Sequence, residues 1–330
     1  MSARPARLPS AGTLVRLLVA LGLTGLILWK SEPALVWQQA RTASPGPILA
    51  AVLLVILDRT LMALRWLWLL GPFTRRPGGG HTVGLGTVLH VFFVSTFVGT
   101  FLPASIGLDA VRATAMTRSG VPVADAVASV FMDRVLGILS LLLMAACGLW
   151  LARELPARQA VLAALAVTAA GCAAVAAAVF STRVAALLTG LLGLLPWPRV
   201  HAAGAAVVAA VQRYAAHHGI LTAVTAASVG VQVLRVLQAW CLGLGLGIDA
   251  PLSAYFAFIP IILLVMLLPV TVNGLGTSQA AFWLFFASVG VSAPAAFALS
   301  VLFIALGVVG NLPGGVLWAR SGLMPQQRTA

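Results

Sequence analysis

An all-α, polytopic helical membrane protein is the fold class this sequence predicts, and three observations carry the prediction. Of 330 residues, 61% are hydrophobic and only 8% charged, whereas soluble domains carry roughly 25% charged residues. Several apolar runs reach about 18 residues or more, the length that crosses a bilayer as a helix. Mean hydropathy is +1.06, which leaves almost nothing for a soluble domain.

The elements follow in order from these runs. Arg4, Arg7 and Arg16 precede an apolar stretch ending near Trp29, and the first span is expected at about Leu14 to Trp29. It has the outline of a signal peptide but lacks a clear small-x-small cleavage site, so it reads as a retained first helix with a cytoplasmic N-terminus. A second span, about Ile48 to Leu70, carries Asp58, Arg59 and Arg65 and is expected to end at Gly71-Pro72, before a cytoplasmic turn marked by Arg75-Arg76. The run from Val83 to Leu102 breaks at Pro103. A full crossing would leave Arg112 and Arg118 outside, against the positive-inside rule, so a re-entrant hairpin is favoured.

Spans at about Ala126–Leu151 and Ala160–Phe180 come next. The connector at about 181–219 holds Arg183, Arg199 and Arg213, with charges and amphipathic patterning that suit helices lying in the interface. A span from about Ile220 to Leu246 contains Gln232, Arg235 and Gln238. The runs Tyr255–Leu268, Ala280–Val289 and Ala295–Trp318 complete the chain, with a cytoplasmic C-terminus. The total expected is about seven or eight spans with one or two re-entrant elements, in a single membrane domain over residues 1–330.

Two stretches stand apart. Leu102-Pro103-Ala104-Ser105-Ile106-Gly107-Leu108-Asp109 and Leu268-Pro269-Val270-Thr271-Val272-Asn273-Gly274 each follow an apolar run. Proline removes a helical hydrogen bond and glycine loosens the backbone, so each is expected to break its helix. Inside a membrane such breaks survive only where protein or water satisfies the freed groups. Paired breaks in two halves point to a transporter's substrate site. Leu64-Arg65-x-Leu67 and Leu234-Arg235-x-Leu237 precede them at similar distances, a faint sign of inverted repeat halves at about 48–120 and 220–290.

Charges inside spans cost about 3 kcal/mol each, so they pair or line a cavity. Asp58 and Arg65 share a helical face, and Asp109 and Arg112 are spaced to pair locally. Asp133 and Arg134 are neighbours on one helix and need separate partners. One reading is a structural network of Asp58, Arg59, Asp133 and Arg134. The other is a substrate site in which Arg65, Arg112 and Arg134 attract a phosphate while Asp109 and Asp133 orient them. Around the breaks, Pro103, Ser105, Gly107, Asn273, Gly274, Gly276 and Gln279 complete the candidate site. Asn273 is expected to cap the following helix, whose positive end suits an anion; for Ser278 and Gln279, an ordinary helix cap competes with ligand contact.

The remaining signals exclude more than they assign. The formal charge of +13 comes from 20 basic and 7 acidic residues. The basic residues flank apolar runs, which fits membrane topology and anionic headgroups better than nucleic acid. Cys147, Cys172 and Cys241 lack ligand spacing, His90 reads as a core histidine, and His217-His218 have no acidic neighbour. No metal or other cofactor is expected, and no nucleophile–base pair or Walker loop is present.

Arg65-Trp66, Leu102-Pro103 through Gly107-x-Asp109-x-x-Arg112, Asp133-Arg134-x-x-Gly137 and Leu268-Pro269 through Asn273-Gly274-x-Gly276 together resemble the flippase-like membrane region of lysylphosphatidylglycerol synthase and its stand-alone relatives, over about residues 12–320. The resemblance implies a bacterial or archaeal inner-membrane protein that moves lipids between leaflets. In full synthases an aminoacyl-transferase domain follows; that activity is not expected here. The family's second glycine before the Asp is Leu108 in this chain, and its Arg-Glu is Ser278-Gln279, which points to a different headgroup, such as a polyprenyl-phosphate carrier or a glycolipid.

The resulting expectation is a lipid translocator rather than an enzyme, acting on an anionic or lipid-linked headgroup in the plasma membrane, alongside a separate biosynthetic enzyme. The alternatives are a membrane-embedded transferase with Asp109 or Asp133 as base, and an accessory scaffold. The sequence leaves the oligomeric state, lipid identity and driving force open.

Overall fold

A computed structural model describes residues 41, 43–74, 83–100, 105–151, 158–193, 197–267 and 276–321. The first expected span, Leu14–Trp29, lies outside them. Within them the chain forms α1 (Pro45–Thr74), α2 (Leu85–Thr100), α3 (Ser105–Arg118), α4 (Val123–Leu151), α5 (Arg158–Phe180), α6 (Thr182–Gly193), α7 (Pro198–Gln212), a 3₁₀ turn (Arg213–Ala216), α8 (His218–Gly245), α9 (Leu252–Met266), α10 (Thr277–Ala287) and α11 (Ala293–Ser321). Five of these, α1, α4, α5, α8 and α11, are long and apolar enough to cross a membrane. The protein is an all-α, multi-pass membrane protein. Of the other expected runs, the re-entrant Val83–Leu102 falls on α2, Tyr255–Leu268 on α9 and Ala280–Val289 on α10, all shorter helices.

Helix α1 runs past the expected stop, through Pro72 to Thr74; the proline forfeits one backbone hydrogen bond to the preceding turn, and the helix continues only two residues beyond it. Thr74 Oγ1 donates to Leu70 O at 3.1 Å, closing that last turn. Helices α1 and α8 pack side by side and run antiparallel: Ile48 lies beside Gly245, Asp58 beside Arg235 and Arg65 beside Ser228.

The α2 run also ends in a return. Ser95 contacts Arg112 and Gly99 contacts Leu108, the antiparallel register of a helical hairpin. Gly107 does not mark the break; it lies in the first turn of α3. The far side of α2 is covered by α11, where Gly314 and Gly315 let the α2 backbone and the Phe97 ring approach closely.

The connector holds two helices of 12 and 15 residues, both too short to cross a core of about 30 Å at 1.5 Å per residue. It is docked on the bundle. Tyr214 is fully buried and donates to Leu69 O at 2.7 Å, Arg213 pairs with Asp125, and the Arg213 guanidinium lies 4.5 Å from the Phe73 ring centre.

Three apolar clusters fill the interior. The largest joins α1, α4, α8, α9, α10 and α11 around Tyr255, Phe258, Phe282 and Phe286. A second joins α1, α2, α3 and α4 around Trp66 and Phe92. The third joins α1, α4, α7 and α8 around Tyr214. Arg65, on α1 just before Trp66, lies where the second and third meet.

Candidate functional site

The charges of α1, α3, α4 and α8 converge on one cavity of about 150 Å³. Arg65, Arg112, Asp133, Arg134, Gln232 and Arg235 supply its polar lining, and Leu108, Leu141, Val231 and Leu267 are among its apolar residues.

Asp133 is the hub. One carboxylate oxygen accepts an ion pair from Arg65 at 2.6 Å and the other from Arg112 at 3.3 Å, and all three side chains are at most 4% exposed. Each guanidinium is steered by neighbours chosen from the same helices. Arg65 donates to Ser228 Oγ at 2.8 Å, and Ser228 in turn donates to Val224 O at 2.6 Å. Gly137, one turn beyond Asp133, lies against the Arg65 guanidinium, where a Cβ would make ordinary contact at 3.6 Å. Arg112 sits over the Phe92 ring at 4.4 Å and the Trp66 ring at 5.4 Å, the cation–π geometry that suits a flat guanidinium. It also donates to Ser95 Oγ at 3.3 Å and Thr96 Oγ1 at 3.4 Å.

Arg134 faces away from Asp133 and forks onto Asp109, with Nε and Nη2 donating at 2.9 to 3.1 Å. This pair is the open edge of the site: its side chains are 35% and 26% exposed. The local Asp109–Arg112 pairing expected from the sequence is therefore replaced by two cross-helix pairs. Their three-residue spacing permits contact, but α4 offers both residues better-aligned partners.

A second trio lies on the α1–α8 side. Asp58, 1% exposed, takes Arg59 at 2.8 Å and Arg235 at 3.4 Å. Arg59 also donates to Asn311 Oδ1 at 2.9 Å, and Asn311 donates to Thr100 Oγ1 at 2.9 Å, tying α11 to α2. Arg235 is held loosely, by Asp58 and by Met62 Sδ at 3.4 Å. Asp58 and Arg65 thus belong to different ion groups, and the single network of Asp58, Arg59, Asp133 and Arg134 is divided among three. Arg235 was the member that sequence reasoning passed over, although an arginine in mid-span carried the signal.

Among the described residues, five guanidiniums (Arg59, Arg65, Arg112, Arg134, Arg235) face three carboxylates (Asp58, Asp109, Asp133) in these ion groups, an excess of two positive charges, and all of the guanidiniums but Arg59 line the cavity. Two buried polar atoms there, Arg65 Nε and Gln232 Oε1, have no hydrogen-bond partner among the described residues. The other amide end of Gln232 donates to Ser140 Oγ at 3.2 Å.

The second motif behaves differently. Pro103, Asn273 and Gly274 lie outside the described residues, and Ser105 and Gly107 occupy the first turn of α3. Helix α10 starts at Thr277, so its N-cap is Gly276, at φ 83°, and not Asn273. Gln279 Oε1 accepts from Gly276 N at 2.6 Å and from Ser278 Oγ at 3.0 Å. These residues close the helix end, as in one half of a capping box, and none of them lines the cavity.

The chain matches the family model described as the lysylphosphatidylglycerol synthase TM region over residues 13–314. No curated protein matches it. The chain belongs to the lysylphosphatidylglycerol synthase TM region family.

Proposed function

We propose that this family member is a lipid translocator of the plasma membrane that carries a lipid with an anionic headgroup from one leaflet to the other. The observation that carries the reading is the excess of guanidinium groups around a cavity inside a bundle of membrane-crossing helices. A charge in the bilayer interior is costly unless it is matched, and an unmatched cation attracts the group that would match it. Arginine presents a fork of donors suited to phosphate oxygens, and Asp109 and Asp133 fix the forks in place. The half-exposed Asp109–Arg134 pair is the entrance, where a headgroup meets Arg134 before reaching the buried Arg65 and Arg112. The lipid chemistry in the family's description supports the same substrate class.

The transferase alternative requires Asp109 or Asp133 as a base. Both carboxylates are clamped by guanidiniums, a geometry that favours the orienting role. A separate enzyme that makes the lipid is part of the same proposal.

The test is leaflet exchange of labelled lipids in proteoliposomes. Protein should speed exchange of anionic lipids over zwitterionic ones, and Arg134→Gln and Asp109→Asn should each remove that advantage while the protein stays folded. Exchange that is equal for both lipid classes, or unchanged in both variants, would overturn the reading.

A further inference from the structure

We infer that the headgroup is a terminal phosphomonoester, a single phosphate at the end of a lipid, and not the phosphodiester of an ordinary glycerophospholipid. The inference rests on the anionic-lipid reading above and concerns how much charge the site is built to take.

The two surplus charges are not diffuse. Each of the two shared carboxylates holds one guanidinium closely and one at arm's length. Asp133 holds Arg65 at 2.6 Å and Arg112 at 3.3 Å, and Asp58 holds Arg59 at 2.8 Å and Arg235 at 3.4 Å. The longer arm in each case, Arg112 and Arg235, lines the same cavity. The site therefore presents two half-neutralised guanidiniums from two different helices, α3 and α8, with Arg134 at the entrance. A phosphodiester brings one negative charge and leaves one guanidinium unmatched. A phosphomonoester carries about −1.5 to −2 at neutral pH and three terminal oxygens, which matches both arms and leaves an oxygen for Arg134 or for the unpartnered Arg65 Nε.

The cavity, of about 150 Å³, has room for a phosphate. The bound phosphate would draw Arg235 away from Asp58, which keeps Arg59 and so remains paired.

The test is binding to the purified full-length chain in detergent, read as the rise in unfolding temperature against ligand concentration. The ligands are short-chain phosphatidate, phosphatidylglycerol and phosphatidylcholine, a polyprenyl phosphate, and inorganic phosphate. The phosphomonoester lipids should bind about tenfold more tightly than phosphatidylglycerol, and the tighter of the two identifies the tail. Arg235→Gln should abolish that preference by weakening phosphomonoesters alone, while Arg235→Lys, which keeps the charge, should retain most of it. If Arg235→Gln does not fold, the wild-type comparison decides by itself. Phosphatidylglycerol binding as tightly as phosphatidate would overturn the phosphomonoester assignment and leave the anionic-lipid reading standing. Phosphatidylcholine binding equally would overturn both. Inorganic phosphate binding as tightly as the lipids would overturn the lipid as the source of the phosphate.

Discussion

The two Leu-Pro motifs begin alike and sit in regions that do different work. After the first, α3 folds back along α2 and delivers Asp109 and Arg112 to α4, where the contacts are ion pairs and the rings of Trp66 and Phe92 serve as a seat for a cation. After the second, α10 packs on α9 through aromatic rings, with Tyr255–Phe286 at 5.0 Å, Phe258–Phe286 at 5.4 Å and Phe258–Phe285 at 5.8 Å between centres. Its polar side chains, Ser278 and Gln279, are used up in closing their own helix end. A shared Leu-Pro motif thus precedes two helices put to different use: the residues in the first turns of the new helix decide whether it joins the ion pairs or braces the aromatic cluster.

The largest effects should come from the hubs of the two regions. Asp133→Asn leaves Arg65 and Arg112 facing each other, buried, with no counter-ion, and should cost about 3–5 kcal/mol, visible as a fall in unfolding temperature in detergent. Phe286→Ala removes the ring shared by three of the aromatic contacts and should cost about 3 kcal/mol. The two should then part company. A folded Phe286→Ala protein should keep the wild-type preference for anionic lipids, and loss of that preference would mean that the α9–α10 region takes part in binding.

Next in size is Gln279→Ala. It frees the buried Gly276 N–H and should cost about 1 kcal/mol, with lipid preference unchanged. A shift in lipid preference with no loss of stability would return Gln279 to the binding site.

The contrast between the regions also shows what sequence alone can carry. The spans on α1, α4, α5, α8 and α11 were legible because the hydrophobic period and length of a membrane helix are local properties. The cap at Gln279 was legible only as the alternative to ligand contact, its partner Gly276 being three residues away. The ion pairs were not. Arg65 finds its partner 68 residues on, at Asp133, and Arg235 on α8 reaches back to Asp58 on α1. Nothing short of helix packing selects those partners. The local Asp109–Arg112 pair was the natural expectation precisely where local spacing was the only guide, and α4 displaced it by offering both residues partners at once.

The smallest effect on stability falls at the entrance and sharpens the comparison most. Arg134 and Asp109 form a well-aligned fork, yet the arginine side chain is 35% exposed, so solvent screens the pair and Arg134→Gln should cost less than about 1 kcal/mol. Its effect on binding should run the other way, with anionic lipids weakened about tenfold and zwitterionic lipids unchanged. A double-mutant cycle with Asp109→Asn separates the two roles. If Asp109 only orients Arg134, Asp109→Asn should weaken anionic lipids in the wild type and have no further effect once Arg134 is Gln. Additive losses would mean that the carboxylate meets the headgroup itself, and the first motif would then differ from the second by two contacts to the lipid instead of one.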